Sequence, residues 1–265
     1  MTSSDLDGTG APAPDRLVGS DRVLAVLSAL AKRPEGATLD ELAHAVDSPK
    51  STVHRALASL RRANFAAQLG RGVYVVGDEF LRLALENQSA RPEGRAVEPV
   101  LSRLSERFGE TAHYAVLDGD EVVYRAKVDP AAGSVRLTSV VGGRNPAYRT
   151  AVGKLLLSAA CASADELAAV VGTGPFERRT ANTVGTLDAL WSEIQLTRER
   201  GWATDDQENE LGVNCLAVPG HFGPAGAMSG AVSVSALAFR TPLAALVESV
   251  GEIRSIVDAR PTGPQ

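Results

Sequence analysis

Three short amphipathic segments and a turn-rich pair of strands in residues 20–77 constrain the fold more than any other feature. The apolar residues of the first segment recur at the spacing of one helical face: Val23, Val26, Leu27 and Leu30. The second segment begins at Thr38, and Glu41 three residues later predicts a capping box at a helix start. The pattern predicts small helices packed around a shared apolar core.

The third segment has the amphipathic pattern of a helix that enters a DNA groove. Ser48 is a good N-cap and Pro49 is tolerated at the first helical position, so the helix is predicted to begin there. The buried stripe comprises Val53, Leu57 and Leu60. Polar and basic residues then occupy the exposed N-terminal half, which is the part of a recognition helix that reaches base edges.

A short hairpin follows this helix. Residues 65–68 and 73–76 read as strands, and the turn between them carries Arg71 at its tip. Such a wing can reach phosphate or the minor groove, so the block is predicted to be a winged helix-turn-helix. The candidate DNA-binding residues are Ser48, Lys50, Ser51, Thr52, His54, Arg55 and Arg71.

Charge is distributed unevenly along the chain. The total is −5, but residues 20–77 hold eight Lys/Arg against five Asp/Glu, a net of +3, whereas residues 78–265 hold eighteen against twenty-four, a net of −6. Because phosphate binding needs a positive surface, nucleic-acid contact is expected only from the N-terminal block. Alternatively, this block is a protein-docking module whose basic residues are solvated.

Cysteine usage and the chain termini bear on the compartment. The two cysteines, Cys161 and Cys215, form neither a CxxC metal pair nor a dense disulfide framework, which favours a reduced, cytoplasmic setting. Residues 1–19 read as a disordered tail and not as a signal peptide, and residues 261–265 as a second tail. No apolar stretch approaches the roughly 20 residues of a spanning helix.

The remainder of the chain predicts an α+β domain. Strands are expected at 112–117 and 121–128 around the turn at 118–120, with a third strand beginning near Ser134. Further predicted elements are helices at 96–108, 151–160, 164–171 and 187–200, strands at 213–218 and 228–237, and a final helix ending near Asp258. We expect an antiparallel sheet with helices on one side and loops closing a concave site on the other.

The chain resembles the IclR family of bacterial regulators in both halves. The resemblance covers about residues 19–259 and is carried by LDELA at 39–43, SPKSTVHRAL at 48–57, GVYVVG at 72–77, GETAH at 109–113, LDGDEVVY at 117–124, VGG at 141–143, VGK at 152–154 and GVNCLAVP at 212–219. It implies a winged helix-turn-helix joined to an effector-binding domain with a GAF-like antiparallel sheet. The implied boundaries are 20–77 for DNA binding, 78–91 for a linker helix and 92–260 for the effector domain.

The resemblance also implies partners and a mode of action. The expected protein is a homodimer or a dimer of dimers that binds a palindromic double-stranded operator, more as a repressor than an activator, under control of a small metabolite. The implied effector-binding residues are Ser134, Leu137, Asn145, Ala151, Val152, Asp205, Val213, Cys215, Ser233 and Ser235. Backbone N–H groups after Thr150 and the hydroxyls of Ser233 and Ser235 would suit an acidic or oxygen-rich ligand.

Three residues depart from the family's usual pattern: Asn145, Arg149 and Val152. Arg149 either points inward, where its guanidinium could bind a carboxylate, or outward as a surface or interface charge, which we favour. These departures keep open a DNA-binding dimer whose C-terminal domain only oligomerises and no longer binds an effector.

An enzyme is the alternative class of function. Cys215 could be a nucleophile with His113 or His221 as its base, or the acidic run 205–210 could bind a metal. No motif in the chain organises such a site, and acidic runs are usually solvated loops. The prediction is therefore a protein without catalysis, cofactor or metal.

Overall fold

A computed structural model describes residues 19–70, 72–90, 92–131, 137–223 and 226–259, without the side chains of 88–90 and 92–95. The chain divides into two compact units after Ala90. The predicted tails, the wing residue Arg71 and the pocket residue Ser134 lie outside the described residues, except that Gly19 already belongs to a helix.

The N-terminal unit is a winged helix-turn-helix. Its elements are α1 (Gly19–Ala31), β1 (Ala37–Thr38), α2 (Leu39–Ala45), α3 (Lys50–Arg62), β2 (Ala66–Leu69), β3 (Val73–Val76) and α4 (Asp78–Ala90). The strands lie in the order β1-β3-β2, all antiparallel. The core includes Val26, Leu30, Val53 and Leu57 from the apolar faces that the sequence pattern predicted, together with Leu42 of α2.

The starts of the two central helices differ from each other. At α2 the predicted capping box is present: Glu41 N–H donates to Thr38 Oγ1 at 3.3 Å, and Thr38 N–H donates to a Glu41 carboxylate oxygen at 2.8 Å. At α3 the prediction was wrong, because Pro49 is the N-cap residue and Ser48 donates its hydroxyl to Val46 O instead. Ser48 therefore stabilises the turn between the helices instead of capping α3.

The C-terminal unit is α+β with one antiparallel sheet. Its elements are α5 (Pro92–Phe108), β4 (Thr111–Asp118), β5 (Glu121–Val128), β6 (Arg144–Pro146), α6 (Ala151–Ala160), α7 (Ala164–Val171), α8 (Leu187–Arg200), β7 (Ala203–Asp206), β8 (Val213–Gly220), β9 (Gly230–Leu237), α9 (Leu243–Glu248) and α10 (Val250–Asp258). The strand order is β6-β5-β4-β9-β8-β7.

Helices cover both faces of this sheet, so the expectation of helices on one face only was wrong. One apolar cluster contains Leu155, Leu157 and Ile194 from α6 and α8, and the other contains Leu101 and Ile253 from α5 and α10. Side chains alternate between the two faces of a strand, so each strand contributes to both layers. The site described below lies on the face that α6 covers.

Other elements refine the sequence-based boundaries. The expected last helix is two helices, α9 and α10, which meet at Ser249. The acidic run begins in β7 and continues into a tight turn, where Gln207 adopts a left-handed φ of 58°. No helix among the described residues is long and apolar enough to cross a membrane.

Candidate DNA-binding and effector sites

The exposed surface of α3 carries the predicted DNA-reading residues. Lys50, Ser51, His54 and Arg55 are exposed, and Thr52 is half-buried. The buried side of the same helix comprises Val53, Ala56, Leu57 and Leu60. The helix is therefore fixed to the unit by one face, and its first two turns present polar and basic groups to the outside.

An ion pair at the start of α3 was not predicted from the sequence. The Lys50 ammonium lies 2.8 Å from an Asp40 carboxylate oxygen, and both side chains are about two-thirds exposed. Exposed pairs of this kind contribute little to stability because solvent screens them. Lys50 can therefore leave Asp40 for a phosphate at small cost.

Glycine shapes the turn of the wing. Gly70 and Gly72 flank Arg71 and have φ values of 54° and 90°, which side chains with a Cβ adopt only with strain. The turn joins β2 to β3, whose register pairs Leu69 with Val73.

A cavity of about 250 Å³ lies in the C-terminal unit. Its lining comes from β4, β5, the segment 137–145, the start of α6, the segment 205–213, β8 and β9. Nine of the predicted effector residues line it: Leu137, Asn145, Ala151, Val152, Asp205, Val213, Cys215, Ser233 and Ser235. These residues are far apart in sequence, and the sheet brings them together.

Strand register explains the floor of the cavity. Asp205 pairs with Cys215, and Cys215 pairs with Ser235, so these three side chains lie side by side across β7, β8 and β9. His113 pairs with Ser233 across β4 and β9 in the neighbouring row. The floor is consequently rich in hydroxyl, thiol and carboxyl groups.

A chain of hydrogen bonds runs through this floor. Cys215 Sγ lies 3.1 Å from Ser235 Oγ, which lies 3.3 Å from His113 Nδ1, while His113 Nε2 lies 2.7 Å from Ser139 Oγ. Burial lowers the pKa of His113 to about 3, with the positive charge of Lys127 acting in the same direction. The imidazole is therefore neutral and joins the floor to the segment 137–143.

Lys127 binds the segment 137–143 through two backbone carbonyl groups. Its ammonium donates to Leu137 O at 2.9 Å and to Ser139 O at 2.7 Å, and it forms an ion pair with Asp129 at 3.0 Å. A single cation on β5 thus binds two backbone carbonyls of this segment. The residues of the segment that line the cavity are therefore fixed relative to β5.

Asp205 is a buried carboxyl group at the edge of the cavity. One oxygen accepts from the N–H groups of Glu208 at 2.7 Å and Asn209 at 3.3 Å, which fixes the tight turn after β7. Burial raises the pKa of Asp205 to about 7, and the nearby charge of Glu208 adds to the increase. Asp205 can therefore donate or accept a hydrogen bond near neutral pH.

A buried ion pair supports the turn from the side of α6. Lys154 Nζ lies 2.5 Å from Glu208 Oε1, and the two side chains are only 1% and 8% exposed. The second oxygen of Glu208 is buried without a hydrogen-bond partner among the described residues. Asp205 and Glu208 are thus buried inside the unit while Asp206 is exposed, so the expectation of a solvated loop was wrong for these two buried carboxyl groups.

The start of α6 forms another wall of the cavity. Thr150 is its N-cap and accepts from Gly153 N–H at 3.0 Å. Gly153 has no side chain because a Cβ there would lie 2.1 Å from Ala147 O. Within the described part of the chain, the N–H groups of Ala151 and Val152 have no hydrogen-bond partner, as is usual for a first helical turn.

Arg149 takes neither of the two positions considered from sequence. It is buried, contrary to the surface position that we favoured, and its Nε donates to Asn209 Oδ1 at 2.9 Å. It does not line the cavity; it holds a residue that does.

Several lining residues were not predicted from the sequence: His113, Tyr124, Thr138, Ser139, Arg179, Asn209 and Glu210. His113 had been weighed only as a catalytic base. Strand alternation could have indicated that it shares a face with other polar residues of β4, but only the register pairs it with Ser233. Arg179 and Glu210 lie on loops, for which the sequence has no periodic signal.

Comparison with known proteins identifies the family of both units of the chain. Residues 20–70 match the IclR helix-turn-helix domain, and residues 94–259 match the C-terminal domain of the bacterial transcriptional regulator IclR. The chain belongs to the IclR family. Like other IclR-family members, it is a DNA-binding transcription regulator with a C-terminal effector-binding domain.

Individual IclR-family relatives cover most of the chain. The Escherichia coli regulator KdgR is 33% identical over 83% of this chain and 81% of its own. A transcriptional regulator from Rhodococcus sp. RHA1 has 29% identity and a TM-score of 0.73, covering 89% and 93% of the two chains. An IclR homologue from Microbacterium hydrocarbonoxydans, solved with 4-hydroxybenzoate, has the same fold, with 23% identity, a TM-score of 0.72 and coverage of 90% and 98%.

Proposed function

We propose that this regulator acts mainly as a repressor and that a small acidic or oxygen-rich metabolite, bound in the C-terminal cavity, alters its affinity for an operator. We propose the bacterial cytoplasm as its location, which a DNA partner supports. The Escherichia coli relatives YiaJ and IclR, 30% and 29% identical to this chain, are named as transcriptional repressors, which supports repression. Nine of the predicted effector residues, which are distant from one another in sequence, line one cavity. This observation supports the proposal that an effector binds there.

On the DNA side, α3 is proposed as the reading helix. Lys50 and Arg55 supply positive charge for phosphates and guanine edges, and the hydroxyl or imidazole groups of Ser51, Thr52 and His54 supply hydrogen bonds. Ser48 is proposed as a backbone contact before the helix, and Arg71 as a contact from the wing. The burial of the opposite face of α3 supports this orientation.

A homodimer or a dimer of dimers on a palindromic operator is proposed as the working form. Leu81, Leu83 and Leu85 on α4 are between 41% and 61% exposed, which is more apolar surface than a solitary connecting helix usually presents. Two copies would present two α3 helices to half-sites one helical turn apart. Cross-linking and light scattering at micromolar concentration would detect the assembly.

The cavity is proposed to bind its ligand without transforming it. Burial raises the pKa of the Cys215 thiol well above its ordinary value, which is the opposite of what a thiolate nucleophile needs. His113 contacts Ser139 and Ser235, and its low pKa of about 3 makes it a poor proton acceptor at neutral pH. Both observations support a binding site.

Two measurements test the function together. Genomic footprinting should locate palindromic sites upstream of a small set of genes, and deletion of the regulator should raise their transcription. A thermal-shift screen of small organic acids should identify a stabilising effector, with a gain of about 2.7 kcal/mol at 100 times its dissociation constant. A screen in which no compound stabilises the protein would instead favour a C-terminal domain that only oligomerises.

A further inference from the structure

Arg179 is an unpaired cation on the lining of the cavity. Its side chain is exposed, and it has no ion pair or hydrogen bond with any part of the chain that the structure describes. Arg144, the other arginine of the lining, lies 2.6 Å from both Asp118 and Glu121 and is already neutralised. Arg179 is therefore the cation that is available to an incoming anion.

The backbone on both sides of Arg179 is fixed. The Tyr148 hydroxyl donates to Glu177 O at 2.8 Å, which ties the segment before Arg179 to the residues that precede α6. The Thr180 hydroxyl donates to Gln207 O at 2.7 Å, which ties the next residue to the turn after β7. The guanidinium thus extends from a fixed point between the start of α6 and the acidic turn.

Unpaired donors and acceptors lie on the same cavity. The N–H groups of Ala151 and Val152 have no partner among the described residues, and a helix start favours an anion. Independently, Ser233 is 2% exposed, lines the cavity and has no hydrogen-bond partner for its hydroxyl in the described ranges. A buried hydroxyl without a partner is costly unless a ligand or water satisfies it.

The acidic groups of the lining limit the ligand's charge. Asp205 and Glu210 both line the cavity on the side of the acidic turn. A second carboxylate on the ligand would approach Glu210 and be repelled by its charge, whereas a hydroxyl could donate to Glu210 or to Asp205. The cavity therefore combines one unpaired cation with two acceptors for neutral donors.

We infer that Arg179 selects the effector's acid group, so that the site prefers small monocarboxylic acids bearing an uncharged hydroxyl over the corresponding amides and dicarboxylic acids. The carboxylate lies between the Arg179 guanidinium and the first N–H groups of α6, and the hydroxyl faces Ser233 and Asp205. This inference rests on the proposed effector function, which it makes more specific.

Matched sets of compounds test the inference on the full-length protein. One set is 4-hydroxybenzoate, 4-hydroxybenzamide and terephthalate; another is lactate, lactamide and methylmalonate, within a wider panel built on the same plan. Dissociation constants are measured by calorimetry for the wild type, Arg179→Gln and Arg179→Lys. Arg107→Ala is the control, because this exposed arginine pairs with Glu252 outside the cavity.

The expected result is that at least one hydroxy monoacid binds the wild type more tightly than its amide and its diacid. Arg179→Gln should weaken that monoacid about tenfold or more and leave the amide unchanged, since only the charged group is lost. Arg179→Lys should retain part of the affinity, and Arg107→Ala all of it. The inference would be overturned, and the effector function left standing, if the acid bound Arg179→Gln as tightly as the wild type or if a diacid bound best. A panel in which no compound binds would overturn the effector function as well.

Discussion

The ammonium of Lys154 and a carboxylate oxygen of Glu208 lie 2.5 Å apart inside the C-terminal unit, beneath the turn that carries Asp205, Asn209 and Glu210. A charge pair that has been removed from water is stabilising only while both partners are present. The pair joins α6 to the acidic turn, and both elements line the cavity. Its integrity therefore bears on stability and on ligand binding together.

Breaking this pair should destabilise the C-terminal unit strongly. Lys154→Met leaves Glu208 buried without a counter-charge, so we expect a loss of about 3–5 kcal/mol in the free energy of unfolding. Both tryptophans, Trp191 and Trp202, belong to this unit, so their fluorescence during urea unfolding reports on it.

The double variant Lys154→Met with Glu208→Leu is the control for the single variant. It removes both charges and should recover much of the loss, because no unpaired ion remains. An exposed pair of the same unit provides a contrast: Arg107→Ala, which breaks the pair with Glu252, should cost less than about 1 kcal/mol. A loss in Lys154→Met as small as that in Arg107→Ala would show that the buried pair is not needed.

DNA binding should depend on Arg55 in a salt-dependent way. Arg55→Ala should weaken operator binding, and if Arg55 contacts a phosphate, the slope of log affinity against log salt should fall by about one unit. Fluorescence anisotropy between 50 and 200 mM salt measures this slope. Lys32→Ala is the matched control, because Lys32 is exposed in the same unit but lies outside α3. Unchanged affinity in Arg55→Ala would exclude this residue from the interface.

Stability should vary with pH through Asp205. Its folded pKa of about 7 lies above the ordinary value of 3.8, so the folded state holds more protons between these limits. The free energy of unfolding therefore falls as pH rises through this window, by at most about 1.4 kcal/mol per pH unit, and the loss is complete above pH 7. Asp205→Asn should remove this slope.

His113 changes stability in the opposite sense. Its folded pKa of about 3 lies below the ordinary 6.5, so the unfolded state holds more protons and stability falls as pH drops through that window. Subtracting the Asp205→Asn profile from that of the wild type cancels the His113 contribution. Parallel profiles from pH 5 to 8 would contradict the assignment to Asp205.

The two serines of the cavity floor should respond differently to substitution. Ser235 contacts both Cys215 and His113, so Ser235→Ala should cost about 1 kcal/mol. Ser233 has no such contact among the described residues, so Ser233→Ala should leave the unfolding midpoint unchanged or raise it. Urea unfolding followed by tryptophan fluorescence compares them, and equal losses would indicate that Ser233 is satisfied within the protein.

The sequence predicted elements whose signals are local. The capping box at Thr38 and the helix from Ala151 to Ala160 follow from spacing and from the polar residues that precede them. The resemblance to the IclR family predicted the lining residues, nine of which line one cavity. Local chemistry misassigned Ser48, since a proline at the N-cap was not considered.

Non-local features could not be predicted in the same way. The burial of Glu208 depends on Lys154, 54 residues away, and an acidic run without that partner would be solvated. Arg149 is buried for a related reason, since its partner Asn209 lies on the same turn. The second core exists because α5 and α10 pack on the other face of the sheet. The pattern of residues within a strand does not show which helices cover each of its faces.

Strand β9 directs Val232 and Val234 into one apolar core and Ser233 and Ser235 into the cavity. Neighbouring positions of one strand consequently have separate roles, Val232 and Val234 in the scaffold and Ser233 and Ser235 in the cavity. Substitutions at the two serines should therefore change the cavity while the apolar core behind them stays the same. New chemical signals can thus be acquired by an old regulator without redesign of the domain that senses them.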